Sequence, residues 1–202
     1  MSRVLKNFYC VEGIDGSGKT TMIQRLQELC NSKLKYHFTK EPSEGVIGEF
    51  IRKQLSNFKN PLQEISLAHL YTADRYEHLY NPRDGIIKIL TKPKTKVITD
   101  RYLFSSIAYQ GDLGQKLNKD FPLPEILFFI KTDPRIAHER IRKTRIQPDL
   151  FEFEAKKLHD ISERYEALLK DLKHSLDVVY IKNSDKKDLE IGARQIFNLI
   201  KF

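Results

Sequence analysis

The chain has 202 residues, of which 40% are hydrophobic and 31% charged, and it carries a formal net charge of +8. This length suits one well-buried domain and is short for two, so we predict a single domain over residues 1–202. The charge favours anionic partners, but without a contiguous basic block or an RNA-binding aromatic motif we expect no nucleic-acid partner. The sequence has neither a run of about 18 apolar residues nor an apolar leader segment, which predicts a cytoplasmic protein with no membrane partner.

Five apolar segments have the composition of short β-strands, and amphipathic helical patterns lie between them. The predicted strands cover residues 7–12, 36–39, 96–100, 126–131 and 178–182. Strands that alternate with helices form parallel sheets covered on both faces. We therefore predict an α/β fold of three layers, a five-stranded parallel sheet flanked by helices, with functional groups beyond the carboxyl ends of the strands.

The first predicted strand is followed by a glycine-rich turn and then by a helix that we expect to begin at Thr21. From Gly13 to Thr20 the turn reads G-x-x-x-x-G-K-T, the P-loop pattern in its usual context of strand, loop and helix. In a P-loop, backbone N–H groups and the helix N-terminus surround a polyphosphate, Lys19 reaches the outer phosphates and the Thr20 hydroxyl helps to hold Mg²⁺. A glycine-rich turn without function is the alternative, which the matching context disfavours. We predict a P-loop NTPase fold with ATP-binding residues Gly13, Asp15, Gly16, Ser17, Gly18, Lys19, Thr20 and Thr21.

The second feature of the predicted site is Asp100, the last residue of the third predicted strand. An apolar strand that ends in aspartate is the Walker-B arrangement, whose carboxylate holds the hydration shell of Mg²⁺. Many strands end in aspartate, but together with the P-loop this one predicts a metal site at Thr20 and Asp100. Arg101 follows directly and is placed for a two-pronged contact with a phosphate.

Glycine and proline punctuate residues 111–124, which we predict to form a loop. Asp133 and Pro134 then cap a helix whose later part is crowded with basic residues. These residues are Arg135, Arg140, Arg142, Lys143 and Arg145. They form either a solvated basic helix face or a lid over about residues 140–152 whose arginines spread the charge of a transferring phosphoryl group. The break at Gln147-Pro148-Asp149 favours the lid.

After the predicted lid, apolar residues recur at steps of three and four, which indicates a helix with one core-facing stripe. The stripe consists of Phe151, Leu158, Ile161, Tyr165, Leu168 and Leu172. Packing or a subunit interface explains such a stripe better than a cofactor site does.

Three segments together resemble the bacterial thymidylate kinases: the P-loop at 13–21, Leu70-Tyr71-Thr72-Ala73-Asp74-Arg75, and Asp100-Arg101-Tyr102 with the run at 105–111. The resemblance extends from Phe8 to the C-terminal helix, and the motifs come in the order of that family. It implies a homodimeric, Mg²⁺-dependent kinase that transfers the γ-phosphoryl group of ATP to dTMP, giving dTDP and ADP.

The resemblance also implies a role for each matching residue. Asp15 would accept a hydrogen bond from the deoxyribose 3′-hydroxyl, Tyr71 would stack on thymine, Arg75 would donate to a base carbonyl, Gln110 would complete the base contacts, and Tyr109 would lie against the sugar. The full set of implied acceptor-binding residues is Asp15, Lys40, Arg52, Tyr71, Arg75, Arg101, Ser105, Tyr109 and Gln110, and that of catalytic residues is Lys19, Asp100, Arg101 and Arg145. Without the resemblance, the same positions describe a turn aspartate, a core aromatic and an amphipathic helix with an exposed arginine.

The sequence departs from the pattern of that family in three places. Gly16 stands where some members carry a P-loop arginine, so the lid is expected to supply one, with Arg145 first and Arg140 and Arg142 behind it. The usual Arg-Glu-Pro-Gly-Gly-Thr reads Lys-Glu-Pro-Ser-Glu-Gly at residues 40–45, and Leu150 replaces a lid arginine. Two alternatives stay open: a P-loop kinase for another nucleoside monophosphate or a deoxynucleoside, and a nucleotide-binding homologue with weak or lost activity.

Overall fold

The structure is a computed structural model that describes residues 3–30, 35–57, 59–144 and 155–201. Within these residues, strands and helices alternate through most of the chain. The elements are β1 (Val4–Glu12), α1 (Lys19–Leu29), β2 (Lys35–Lys40), α2 (Val46–Leu55), α3 (Glu64–Tyr80), α4 (Ile86–Leu90), β3 (Thr95–Asp100), α5 (Leu103–Asn118), β4 (Leu123–Lys131), α6 (Pro134–Thr144), α7 (Ala155–Leu172), β5 (Asp177–Lys182) and α8 (Lys186–Ile200).

The five strands form one parallel sheet in the order β2-β3-β1-β4-β5, so β1 lies at its centre. The last five residues of β1 are all buried, as expected for a strand covered on both faces. The predicted α/β fold with a five-stranded parallel sheet is therefore confirmed. Each observed strand begins one to three residues before the predicted strand.

Two hydrophobic cores cover the two faces of the sheet, because successive side chains of a strand point to opposite sides. On one face Phe8 packs with side chains of α3, α4, α5 and α7. On the other face Tyr9 packs with side chains of α1 and α8. Each fully buried large apolar side chain contributes roughly 1.5–3 kcal/mol, so these cores hold the strand ends in place.

The predicted loop at 111–124 was wrong, because α5 continues to Asn118 and β4 begins at Leu123. Gly111 lies inside α5 with φ 56° and ψ −134°, a kink that lets the helix change direction and continue. Gly114 packs so tightly that a Cβ there would lie 2.2 Å from the carbonyl oxygen of Ser106. Both glycines serve a helix and its packing, where the sequence suggested a loop.

Two other predictions concern the start of α1 and the buried face of α7. Helix α1 begins at Lys19 rather than Thr21. The core-facing stripe of α7 is confirmed for its described members: Leu158, Ile161 and Tyr165 are buried, and Leu168 and Leu172 are partly buried against the same core. Phe151, the first residue of the predicted stripe, lies outside the described residues. Among the helices described, none has the length and apolar character needed to cross a membrane.

Candidate active site

A cavity of about 490 Å³ opens where β1, β2 and β3 end at their carboxyl termini. It brings together most residues that the sequence predicted for the site. Those that line it are Asp15, Gly16, Gly18, Lys19, Thr20, Thr21, Arg52, Tyr71, Arg75, Asp100, Arg101, Ser105, Tyr109 and Gln110. The cavity is therefore built from residues far apart in sequence that converge at one edge of the sheet.

The P-loop has the backbone conformation that its glycines allow. Gly13, Gly16 and Gly18 all have positive φ, at 152°, 73° and 89°. A Cβ on Gly16 would lie 2.3 Å from the carbonyl oxygen of Ala137 in α6. A side chain at this position would therefore require α6 to move.

The ammonium group of Lys19 lies inside the turn of the P-loop. Its Nζ donates to the carbonyl oxygens of Gly13 and Ile14, each at 2.9 Å. Burial, together with the positive charge of Arg101, lowers the pKa of Lys19 to about 8. This cation has no carboxylate partner within hydrogen-bond distance among the described residues, which suits an incoming polyphosphate.

Asp15, Arg101 and Tyr109 form one hydrogen-bonded group on the cavity wall. The Asp15 carboxylate accepts from Arg101 Nη2 on Oδ1 and from the Tyr109 hydroxyl on Oδ2, the latter at 2.6 Å. Arg101 Nη1 also donates to Ser105 Oγ at 3.0 Å. Burial raises the pKa of Tyr109 well above its usual value, so its hydroxyl stays protonated as a donor.

Thr20 and Asp100 supply oxygen atoms next to the P-loop. Thr20 Oγ1 donates to Asp100 Oδ2 at 3.4 Å, and Asp100 Oδ1 is buried without a hydrogen-bond partner among the described residues. A buried carboxylate oxygen that lacks a partner costs free energy unless a ligand satisfies it. Hydroxyl and carboxylate oxygens are the ligands that Mg²⁺ prefers, so this pair fits that ion.

Arg75 also lines the cavity and is almost completely buried, with its guanidinium fixed by protein groups. It donates from Nε at 2.8 Å and from Nη2 at 2.6 Å to the Glu41 carboxylate, from Nη1 to Asn118 Oδ1, and from Nη2 at 3.1 Å to Ser106 Oγ. An arginine has five N–H groups, so one on Nη1 lacks an acceptor among the described residues. Gln110 Oε1 is likewise buried without a partner in the described part of the chain.

Three predicted site residues do not line the cavity, and a fourth lies outside the described residues. Gly13 and Ser17 are buried in the P-loop behind it. Lys40 forms an ion pair with Glu44 at 2.6 Å and is half-exposed. Arg145, and with it most of the predicted lid over 140–152, lies outside the described residues.

The structure adds residues that the sequence did not mark. The further side chains that line the cavity are Glu41, Pro42, Leu55, Tyr102, Ser106, Arg140 and Ile141. Arg140, named only as a reserve for Arg145, donates to the carbonyl oxygens of Ser17, Asn183 and Ser184 at 3.4, 3.1 and 3.0 Å. It therefore ties the P-loop to the turn before α8, while Arg142 is exposed outside the cavity. Because these contacts join segments that are remote in sequence, local sequence patterns could not predict them. The added acidic residue, Glu41, lies in the stretch at 40–45 that was compared with the family pattern.

Comparison with known proteins identifies the family of this chain. A family model described as thymidylate kinase matches residues 11–190. The chain belongs to the thymidylate kinase family. Membership identifies it as an ATP-dependent nucleoside monophosphate kinase, as the resemblance of its motifs implied.

Three relatives, each provisionally named a thymidylate kinase, illustrate the range of the family. The protein of Treponema pallidum is 31% identical over 98% of this chain and 96% of its own length. That of Methanocaldococcus jannaschii is 35% identical over 87% of this chain and 96% of its own length. That of Metallosphaera sedula is 34% identical over 80% of this chain and 79% of its own length. Because archaeal relatives match as well as bacterial ones, the similarity supports the family and not its bacterial subtype.

Proposed function

We propose that this kinase transfers the γ-phosphoryl group of ATP to dTMP, giving dTDP and ADP. The observation that carries the proposal is two polar groups of the cavity lining that lack partners among the described residues: one N–H of Arg75 and the Oε1 acceptor of Gln110. Thymine offers the complementary pair, the O4 acceptor beside the N3–H donor, whereas cytosine offers an amino donor beside an acceptor. A buried pair of this polarity favours thymine over cytosine, because the wrong base would leave both groups unpaired.

The sugar and phosphate of dTMP extend from the base toward the P-loop in this proposal. Asp15 accepts a hydrogen bond from the 3′-hydroxyl, and Tyr109, whose hydroxyl donates to Asp15, lies against the sugar and leaves little room for a 2′-hydroxyl. Tyr71 stacks on the base. Arg101 and Arg52 bind the phosphate, and Lys40 contributes positive charge from the neighbouring loop.

The chemistry needs positioning and charge neutralisation more than proton transfer. The second pKa of a phosphate monoester is about 6, so the acceptor oxygen is already anionic at neutral pH and no strong base is required. The P-loop holds the phosphates of ATP in line with that oxygen, and Lys19 and Arg101 stabilise the charge of the transferring group. Thr20 and Asp100 would hold a Mg²⁺ ion, which would supply positive charge to neutralise the phosphates of ATP.

The remaining parts of the proposal rest on the resemblance of the motifs. They are a lid whose arginine, Arg145, compensates for the absent P-loop arginine at Gly16, a homodimeric assembly, a cytoplasmic location and the bacterial subtype. The carbonyl contacts of Arg140 support Arg145 as the lid arginine, because they already engage the Arg140 guanidinium.

Measurement of ADP release with dTMP, dUMP, dCMP, dGMP and AMP as separate acceptors tests this function. Turnover fastest with dTMP supports it, and no preference for dTMP contradicts it. ADP release with thymidine in place of a monophosphate would identify a deoxynucleoside kinase. Binding of ATP and dTMP without turnover in the presence of Mg²⁺ identifies a nucleotide-binding homologue that has lost activity.

A further inference from the structure

A buried carboxylate that takes no part in the proposed chemistry lies directly behind the site. Glu12 is the last residue of β1, and its side chain is fully buried. Its Oε1 accepts from the backbone N–H groups of Tyr102 at 2.8 Å and Ser105 at 3.0 Å. Its Oε2 accepts from Ser105 Oγ at 2.7 Å and from the Tyr165 hydroxyl at 2.9 Å. A carboxylate with four donors is saturated, which excludes Glu12 as a base and indicates a structural or positioning role.

The hydrogens of the Ser105 and Tyr165 hydroxyls are shared with one oxygen of Glu12, and either hydroxyl can donate in the contact between them. The Ser105 hydroxyl has one hydrogen, and donation to Glu12 leaves only its lone pairs for other partners. Arg101 Nη1, which can only donate, lies 3.0 Å from the same oxygen. As long as Glu12 takes the hydrogen of Ser105, the serine oxygen accepts from Arg101 and holds that end of the guanidinium.

Tyr165 brings the cluster into contact with a distant part of the chain. It lies on α7, and its hydroxyl is 2.9 Å from Ser105 Oγ as well as from Glu12 Oε2. The ring is buried in the core between the sheet and α7, 5.2 Å from the ring of Phe129 between centroids. The hydroxyl position is therefore fixed by packing, and the tyrosine oxygen is a second acceptor, besides Glu12, for the hydrogen of Ser105.

We propose that Glu12 and Tyr165 are positioning residues for Arg101: they set the direction of the Ser105 hydroxyl, and the serine oxygen in turn orients the guanidinium toward the acceptor phosphate. This inference rests on the proposed role of Arg101 in binding dTMP. It goes beyond capping of α5, since capping requires only the contacts of Glu12 Oε1 with two backbone N–H groups. The contacts of Oε2 have no part in the cap.

Two conservative variants separate positioning from capping. Glu12→Gln keeps a carbonyl oxygen for the two backbone N–H groups and places an amide NH₂ donor where Oε2 was. Ser105 Oγ then faces an N–H donor in place of an acceptor, and only the Tyr165 oxygen, 2.9 Å away, is left to take the serine hydrogen. Where it does not, that hydrogen turns toward Arg101 and repels the guanidinium. Tyr165→Phe removes only the hydroxyl and keeps the packed ring. Tyr9→Phe is the matched control, because it removes a buried hydroxyl whose contacts, Lys96 at 3.3 Å and Glu125, lie outside the cavity.

Steady-state kinetics of the wild type and these variants tests the inference, with thermal unfolding measured in parallel. We expect Tyr165→Phe to raise the KM for dTMP roughly three- to tenfold and Glu12→Gln to raise it roughly tenfold or more, with the KM for ATP unchanged within about twofold. The Tyr9→Phe control should leave both constants unchanged. In a Ser105→Ala background, Tyr165→Phe should add nothing further, because its effect is transmitted through the serine.

The possible failures are distinguishable. A wild type that does not phosphorylate dTMP contradicts the proposed function itself. If the wild type is active and Tyr165→Phe either leaves the KM for dTMP unchanged, raises both KM values in parallel, or is additive with Ser105→Ala, the positioning role is overturned. Because Tyr165→Phe retains the buried ring, it answers the question even if Glu12→Gln fails to fold.

Discussion

Asp15 and Arg101 form an ion pair in the cavity, although the resemblance implied a different ligand group for each, the 3′-hydroxyl and the phosphate. The pair lies between Tyr109, which donates to the other oxygen of Asp15, and Ser105, which accepts from Arg101. The residues proposed to bind the sugar and the phosphate are therefore joined by hydrogen bonds in the structure without acceptor. Damage to one half of the pair should weaken the binding of both parts of dTMP.

Asp15→Asn should lower kcat/KM for dTMP by roughly 10- to 100-fold, because hydrogen bonds to a charged group contribute roughly 1.5–3 kcal/mol each. The KM for ATP should change far less. Steady-state kinetics with each substrate varied in turn gives the comparison. An equal loss for ATP and dTMP would assign Asp15 to the P-loop turn alone.

Lys19 should make ATP use depend on pH. Its pKa in the folded protein is about 8, below the ordinary 10.5, so the group loses its charge as the pH rises through 8. We expect kcat/KM for ATP, which reports the free enzyme, to fall about tenfold per pH unit above that pKa. The same shift means that between pH 8 and 10.5 the unfolded chain binds more protons than the folded chain, so this group makes the free protein more stable as the pH rises. A profile of kcat/KM that stays flat to about pH 10 would contradict the assignment.

Gly16→Ala should destabilise the fold, and Gly111→Ala provides the matched control. Both residues have positive φ, at 73° and 56°. Only the Cβ at Gly16 collides with backbone, since at Gly111 nothing lies within 4 Å. We expect Gly111→Ala to cost about 1 kcal/mol from backbone conformation and Gly16→Ala roughly 1–3 kcal/mol more, measured by urea unfolding. Equal costs would show that α6 yields freely at this contact.

Much of the fold and the centre of the site could be predicted because their signals are local. The residues of an apolar strand follow one another in sequence, and so do those of the P-loop. The backbone conformation that each of these segments requires does not depend on the rest of the chain. The partners of Arg75 could not be predicted in this way, since Glu41 and Asn118 reach it from different segments. The prediction of a loop around Gly111 and Gly114 was wrong for a related reason. Glycine occurs at helix kinks and at close packing contacts as well as in loops, and the sequence alone does not distinguish these cases.

Glu44 should weaken the binding of dTMP. It pairs with Lys40 at 2.6 Å and lies 3.5 Å from Arg52, two cations proposed for the acceptor phosphate. Glu44→Gln should therefore lower the KM for dTMP about two- to fivefold, a small effect because the pairs are exposed. Glu49→Gln, which breaks the 2.7 Å pair of Glu49 with Lys53 on α2, is the control. An unchanged or higher KM for dTMP in Glu44→Gln would show that the acid does not compete with the phosphate.

The most direct measurement of base recognition is a competition in one tube. The enzyme is incubated with Mg²⁺, γ-labelled ATP and equal concentrations of dTMP and dCMP, and the labelled diphosphates are separated. If Arg75 and Gln110 recognise the O4 and N3–H groups of thymine, the label enters dTDP with little in dCDP. Comparable label in both products, or label mainly in dCDP, would contradict recognition of thymine by this pair.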